Sequence, residues 1–209
     1  MKTRSKALLL TLCAVLLVAA SVLGTMAYLT DNETVTNTFT VGSVGLTLNE
    51  AHVYQDGTPI PNADRVKENS YKLMPGHEYT KDPTVHVDRN SEDSWIFVKV
   101  ENGISAYEAT TSTEEGGYKN IADQITANGW KTLAGVENVY YKEYEKDKVG
   151  NDLKVFEKFK IADNADKVAG WGNFKDVKVT VTAYAVQKDG FNTAADAWNA
   201  TFGKPATNP

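Results

Sequence analysis

Cysteine is almost missing from this chain. The one thiol, Cys13, lies inside an apolar N-terminal run, so a mature protein without that run has none. Disulfides, cysteine-ligated metals and thiol catalysis fall away together. Positive charge is also scarce, with 22 Lys and Arg against 27 Asp and Glu for a net charge of −5. Three of the cations, Lys2, Arg4 and Lys6, precede the apolar run; without residues 1–27 the balance becomes 19 against 27, or −8. So acidic a chain repels phosphate backbones, which disfavours nucleic-acid binding through a general electrostatic patch. Also missing are G-x-S-x-G, the Walker A loop and the dinucleotide fingerprint. Apolar content of 42% argues against wholesale disorder, and the 182 residues after position 27 are enough to build a core without disulfides.

The first feature present is the layout of an export signal. Residues 1–6 are basic, Ala7 to Leu23 carry no charge and no proline, and Gly24-Thr25-Met26-Ala27 is small at the positions a signal peptidase reads. The expected cut follows Ala27 and frees Tyr28 as the new N-terminus. A retained membrane anchor is the rival reading, since 17 apolar residues lie at the lower limit for spanning a bilayer, but no basic stop-transfer cluster follows. Membrane contact is expected only through the uncleaved signal. Leu12 before Cys13 is too large for a lipid-attachment site, and the last residues carry no sorting signal.

After Ala27 the apolar pattern has mostly period two. Phe39 and Val41 alternate with threonines, Val44, Leu46 and Leu48 follow after Gly42, and Pro83, Val85 and Val87 share a face opposite Thr84 and His86. Trp95 to Val100 is nearly all apolar and reads as a central strand buried on both faces. Val177, Val179, Val181, Ala183 and Ala185 give the clearest alternation. Val139-Tyr140-Tyr141 and Leu153 to Ile161 read as strands, as does a short piece over Ala51 to Tyr54; Leu73-Met74-Pro75-Gly76 reads as a strand end entering a turn. Two short helices are expected, one at Ile121 and Ile125, spaced four apart, and one opened by Thr193-Ala194-Ala195-Asp196 and closed by Gly203. Many short strands, few helices and no βαβ rhythm predict an all-β, antiparallel sandwich.

Chemistry is harder to find. His77-Glu78 begins like the zinc motif HExxH, but Lys81 stands where the second histidine is needed, and Pro75-Gly76 points to a turn. The acidic groups Asp88 to Asp93 and Thr113-Glu114-Glu115 have oxygen ligands for calcium without EF-hand spacing. Trp95, Trp130, Trp171, Trp198 and Tyr184 would suit a glycan-binding face, or ordinary sheet packing. No catalytic residue, metal ligand or cofactor is assigned.

Gly24 to Asp31, Asn37-Thr38-Phe39-Thr40-Val41-Gly42 and Val44 to Leu48, together with Leu73 to Gly76, Lys81 to Val85, Ser94 to Glu101 and Val179 to Gln187, resemble the TasA/camelysin family of Gram-positive bacteria. Residues 102–175 carry no part of this likeness. The resemblance implies export through a SipW-type signal peptidase and a jelly-roll-like sandwich over residues 42–209, preceded by a signal-peptide helix. It also implies a secreted structural subunit of biofilm-matrix fibres, which self-associates into filaments with or without accessory matrix subunits and lies in the extracellular matrix or at the cell surface. Residues 28–41 are then the expected polymerisation segment, with Tyr28, Leu29, Val35, Phe39 and Val41 as its apolar positions. An N-terminal strand lacking a partner in its own subunit, and an open sheet edge elsewhere, satisfy each other by pairing between subunits. Against this, residues 28–39 could fold back as the first strand of their own domain. At the level of function, a camelysin-like surface metallopeptidase and a monomeric surface adhesin compete with the fibre subunit.

Overall fold

Two nine-residue strands organise the molecule. In the computed structural model, which describes residues 44–110, 118–146, 150–174 and 177–203 together with the backbone of 30–33, Ser94–Asn102 (β5) pairs antiparallel along its full length with Val179–Gln187 (β10). The register runs from Ser94 opposite Gln187 to Asn102 opposite Val179. The remaining strands are β1 (Thr30–Glu33), β2 (Leu46–Asn49), β3 (Glu78–Thr80), β4 (Thr84–Val87), β6 (Lys131–Thr132), β7 (Val139–Tyr144), β8 (Asp152–Lys154) and β9 (Lys158–Lys160). They form a five-stranded sheet of order β1-β10-β5-β7-β6, a three-stranded sheet β2-β4-β8 and a pair β3-β9, all antiparallel. With two short α-helices among the described residues, α1 (Ile121–Ala127) and α2 (Ala194–Thr201), the fold is all-β.

From Ser94 to Val98, strand β5 is buried on both faces, as its nearly all apolar run predicts, because the pleat sends alternate side chains into two different cores. Ile96, Val98 and Val100 join Val181, Ala183 and Ala185 of β10 in the larger core, against Leu46 and Leu48 of β2, Val85 and Val87 of β4 and Leu153 of β8. Trp95 and Phe97 face the other way, onto Val186, Leu133, Val139 and the helix residues Ala194 and Ala197. The apolar stripe of α2 covers what would otherwise be an exposed aromatic sheet face. Thr193 caps this helix: its hydroxyl accepts from the Asp196 N–H and donates to the Asp196 carboxylate, so the N-cap half of the expected box forms. The N–H groups of Phe202 and Gly203 both donate to the Trp198 carbonyl and end it.

Three expectations need correction. Leu153 to Ile161 is not one strand, because the adjacent residues Val155 and Phe156 are both fully buried in the same larger core. A single strand cannot send neighbours to one side, so the chain breaks there and passes from β8 into β9, in a different sheet. Ala51 to Tyr54 holds only an isolated bridge, Val53 to Pro59, around a tight turn at Gly57. Gly57 has φ +81°, and a Cβ there would lie 2.6 Å from the Tyr79 Cα. The Pro75-Gly76 turn forms, but Leu73-Met74 are held by a side chain rather than a strand. The fully buried Tyr79 hydroxyl donates to the Lys72 carbonyl and accepts from the Met74 N–H.

Helix α1 is tied to the core by a buried acid. Asn120 and Asp123 form a complete capping box, and Glu108 accepts from the Ile121 N–H at 2.6 Å and from the Asn102 amide at 2.8 Å. Burial pushes the Glu108 carboxyl above its ordinary value of 4.5, outweighing those two hydrogen bonds. A carboxyl raised in the folded state binds its proton more tightly there than in the unfolded chain. Its contribution to stability is therefore present below the ordinary value and lost as pH rises through the raised one. Glu108→Gln cannot ionise. Urea titrations across the acid range should show the variant gaining on the wild type as pH rises through that window, and parallel curves would refute the assignment.

Candidate functional site

The expected polymerisation segment meets the described structure at one place. Of that segment, Thr30–Glu33 is β1; Ala27, Tyr28, Leu29, Val35, Phe39 and Val41 lie outside the described residues. Strand β1 is the edge strand of the large sheet, with Thr30 opposite Val186, Asp31 opposite Ala185, Asn32 opposite Tyr184 and Glu33 opposite Ala183. It also lies alongside β2, at the edge of the second sheet. Its ladder with β10 has four residue pairs, whereas the opposite edge of β10 pairs with β5 over nine. Among the described residues, no strand covers Val179 to Thr182 on the β1 side.

Beside Val179 to Val181 runs a groove of about 570 Å³. Residues 177–181 form one wall, and Leu48, Leu73, Pro83 and Phe159 are among the rest. The lining mixes these apolar side chains with polar ones such as Lys67, Glu68, Ser70 and Thr180, and holds a buried charged pair at the end of β2. Glu50 and Lys81 are 4% and 9% exposed, and the Lys81 ammonium donates to Glu50 Oε2 at 2.5 Å. Asn69 donates to the other carboxylate oxygen at 2.9 Å and to the Ala51 carbonyl, while its own oxygen accepts from the Val53 N–H. Lys81 also stands 6.0 Å from the centre of the Tyr71 ring. Burial, with the charges of Glu50 and Asp82, pushes the Tyr71 hydroxyl far above its ordinary range. Arg65 is bonded to Asp82, Asn49 and Thr84.

Motif spacing does not point to this pair, although the sequence carries a signal for it. Glu50 continues the period-two set Leu46, Leu48, and Lys81 precedes Pro83, Val85 and Val87 in the same phase. Two opposite charges, each in step with a buried face, stand where only a mutual partner makes burial tolerable.

The other candidates disperse. Glu78 opens a strand, so His77 and Lys81 do not share a helix face; His77 Nε2 lies 2.7 Å from the Asp56 carbonyl and its ring packs on Tyr79. His86 bridges Asp152 and Asn49 on the outer face of β4, and His52 is exposed. Asp93 accepts from the Lys146 N–H and Glu92 pairs with the Lys146 ammonium; Thr113-Glu114-Glu115 lies outside the described residues. Among the described residues no group of three or more His, Asp or Glu converges to hold a metal. The five aromatics do not make one face: Trp130 is in the larger core, its indole N–H donating to the Lys154 carbonyl. Trp171 packs on Tyr107 and Phe174, and Trp95, Trp198 and Tyr184 belong to the core under α2.

No family model, curated protein or solved structure matches this chain. The edge of β10 and its groove are therefore weighed on geometry alone. No helix among the described residues is long and apolar enough to cross a membrane.

Proposed function

We propose that this chain is an exported, non-enzymatic structural subunit of extracellular fibres of the TasA/camelysin kind, a jelly-roll-like sandwich that polymerises by adding its N-terminal strand to a neighbouring subunit. The signal is cut after Ala27 by a SipW-type peptidase, and the product lies in the matrix or at the cell surface. The observation that carries this reading is the edge of β10, where β1 pairs over four residues and a groove continues along the strand beyond it. A short edge strand adds only about 0.5–1.5 kcal/mol per hydrogen bond. The same ladder made with the next copy conserves every bond, so exchange between the two costs little enthalpy. A head-to-tail contact that does not close on itself propagates as a filament.

Electron microscopy over a concentration series, comparing protein that begins at Tyr28 with protein that begins at Gly42, tests the proposal. Filaments are expected from the first and none from the second, with both folded by circular dichroism. Monomers from both would overturn the fibre reading and favour a monomeric adhesin.

A further inference from the structure

The buried Glu50–Lys81 pair has a third member. The Lys81 ammonium donates to Glu50 Oε2 at 2.5 Å, and the Asn69 amide donates to Glu50 Oε1 at 2.9 Å. One carboxylate therefore holds an amine on one oxygen and a carboxamide on the other. The amide is fixed in its turn: its nitrogen also donates to the Ala51 carbonyl at 2.8 Å, and its oxygen accepts from the Val53 N–H at 3.0 Å. Asp82, the neighbouring carboxylate, is taken by Arg65 and by the Ala51 N–H. Glu50 is the acid that touches both nitrogens.

An ion pair taken out of water carries a desolvation cost that apolar residues of similar volume avoid, so stability alone does not account for it. With Glu50 and Lys81 4% and 9% exposed, the pair can neutralise itself by passing a proton from the ammonium to the carboxylate. A neutral lysine is a nucleophile. A carboxamide carbon is an electrophile whose leaving group is ammonia. Holding both on one carboxylate removes the entropy cost of bringing them together.

We propose that Lys81 and Asn69 join through an amide bond, an intramolecular cross-link that the protein forms itself with Glu50 as proton carrier. The Lys81 ammonium gives one proton to Glu50, and the freed Nζ lone pair attacks the Asn69 Cγ. Negative charge developing on Oδ1 meets the Val53 N–H, which already bonds that oxygen. A second Nζ proton passes through Glu50 to Nδ2, the Cγ–Nδ2 bond breaks, and ammonia leaves. One C–N bond forms, one breaks, and nothing is oxidised or reduced. The first proton stays on Glu50, so a buried ion pair becomes a neutral amide beside a neutral acid. The bond closes the excursion from Asn69 to Lys81, which carries the Pro75-Gly76 turn and β3. It would restrict the unfolded chain as a disulfide does, in a chain with no cysteine after position 27. The cross-link lies within one subunit and is independent of how subunits assemble.

Mass spectrometry of protein that begins at Tyr28, fresh and after prolonged incubation at neutral pH, tests the proposal. Protein taken before joining keeps the ion pair, and is the reference for the stability of Glu50 and Lys81 variants. The incubated protein is expected to be lighter by one ammonia. Trypsin cuts after Lys72, between the two partners, so residues 68–72 should stay attached to residues 73–89, with Lys81 uncut. Asn69→Ala, which keeps the ion pair, and Lys81→Arg, which keeps the charge without the amine, should hold full mass and release residues 68–72 alone. Glu50→Gln should lose the joined product as well, with circular dichroism checking that each variant is folded. Full mass and separate peptides from the incubated wild type would overturn the proposal. So would the lighter mass with residues 68–72 released alone, since a succinimide at Asn69-Ser70 loses the same ammonia without joining Lys81. A folded Glu50→Gln that joins as completely as the wild type would overturn the role of Glu50.

Discussion

Lys81→Ala is expected to destabilise the protein by about 3–5 kcal/mol, the range for removing one member of a buried ion pair. The loss of the lysine's own attraction is the smaller part. The larger part is that the Glu50 carboxylate stays buried, 4% exposed, with the Asn69 amide still donating to it but no cation beside it. Removing both charges together reverses the expectation. Glu50→Leu with Lys81→Met fills a similar volume without desolvating an ion, and should lie close to the wild type or above it, since Asn69 still donates to the Ala51 carbonyl. Urea denaturation of the single and double variants makes the comparison. A single variant that loses less than the double would refute the argument.

Phe97→Ala is the second large effect, expected at about 3–5 kcal/mol for an aromatic truncated in a core that cannot close around the gap. Phe97 is fully buried, 5.1 Å from the Trp198 ring centre and tilted against Tyr141. It stands on β5, the strand both cores share, so the cavity opens between the sheet and α2. Thermal unfolding by circular dichroism should show one transition at a lower temperature. A loss under about 1 kcal/mol, well below the usual cost of such a cavity, would mean that α2 collapses into the space.

The parts of the fold legible in the sequence are those with an unambiguous period. Val181, Ala183 and Ala185 announce β10, Ile121 and Ile125 announce α1, and the run from Trp95 to Val98 announces a strand buried on both faces. Legibility ended where the period broke for tertiary reasons. Val155 and Phe156 are both buried because the chain changes sheets there, and no local preference encodes that step. The large aromatics misled for a related reason: composition says that they bury area, but which core each enters depends on strand order. The groove was not legible at all. Its walls come from residues near positions 48, 73, 81, 159 and 179, and only the folded topology brings these together.

That strand order has a consequence for when the protein can fold. Strand β10 separates β1 from β5, so residues paired across β1 and β10 are at least 150 positions apart in the chain. Until Val179–Gln187 has been synthesised and delivered, the N-terminal strand has no edge to join and β5 lacks one of its two neighbours. Contacts this distant give a high contact order and folding in milliseconds to seconds rather than microseconds. A chain threaded through a membrane N-terminus first would thus remain extended during passage, and its first strand would be the last to learn which copy it belongs to.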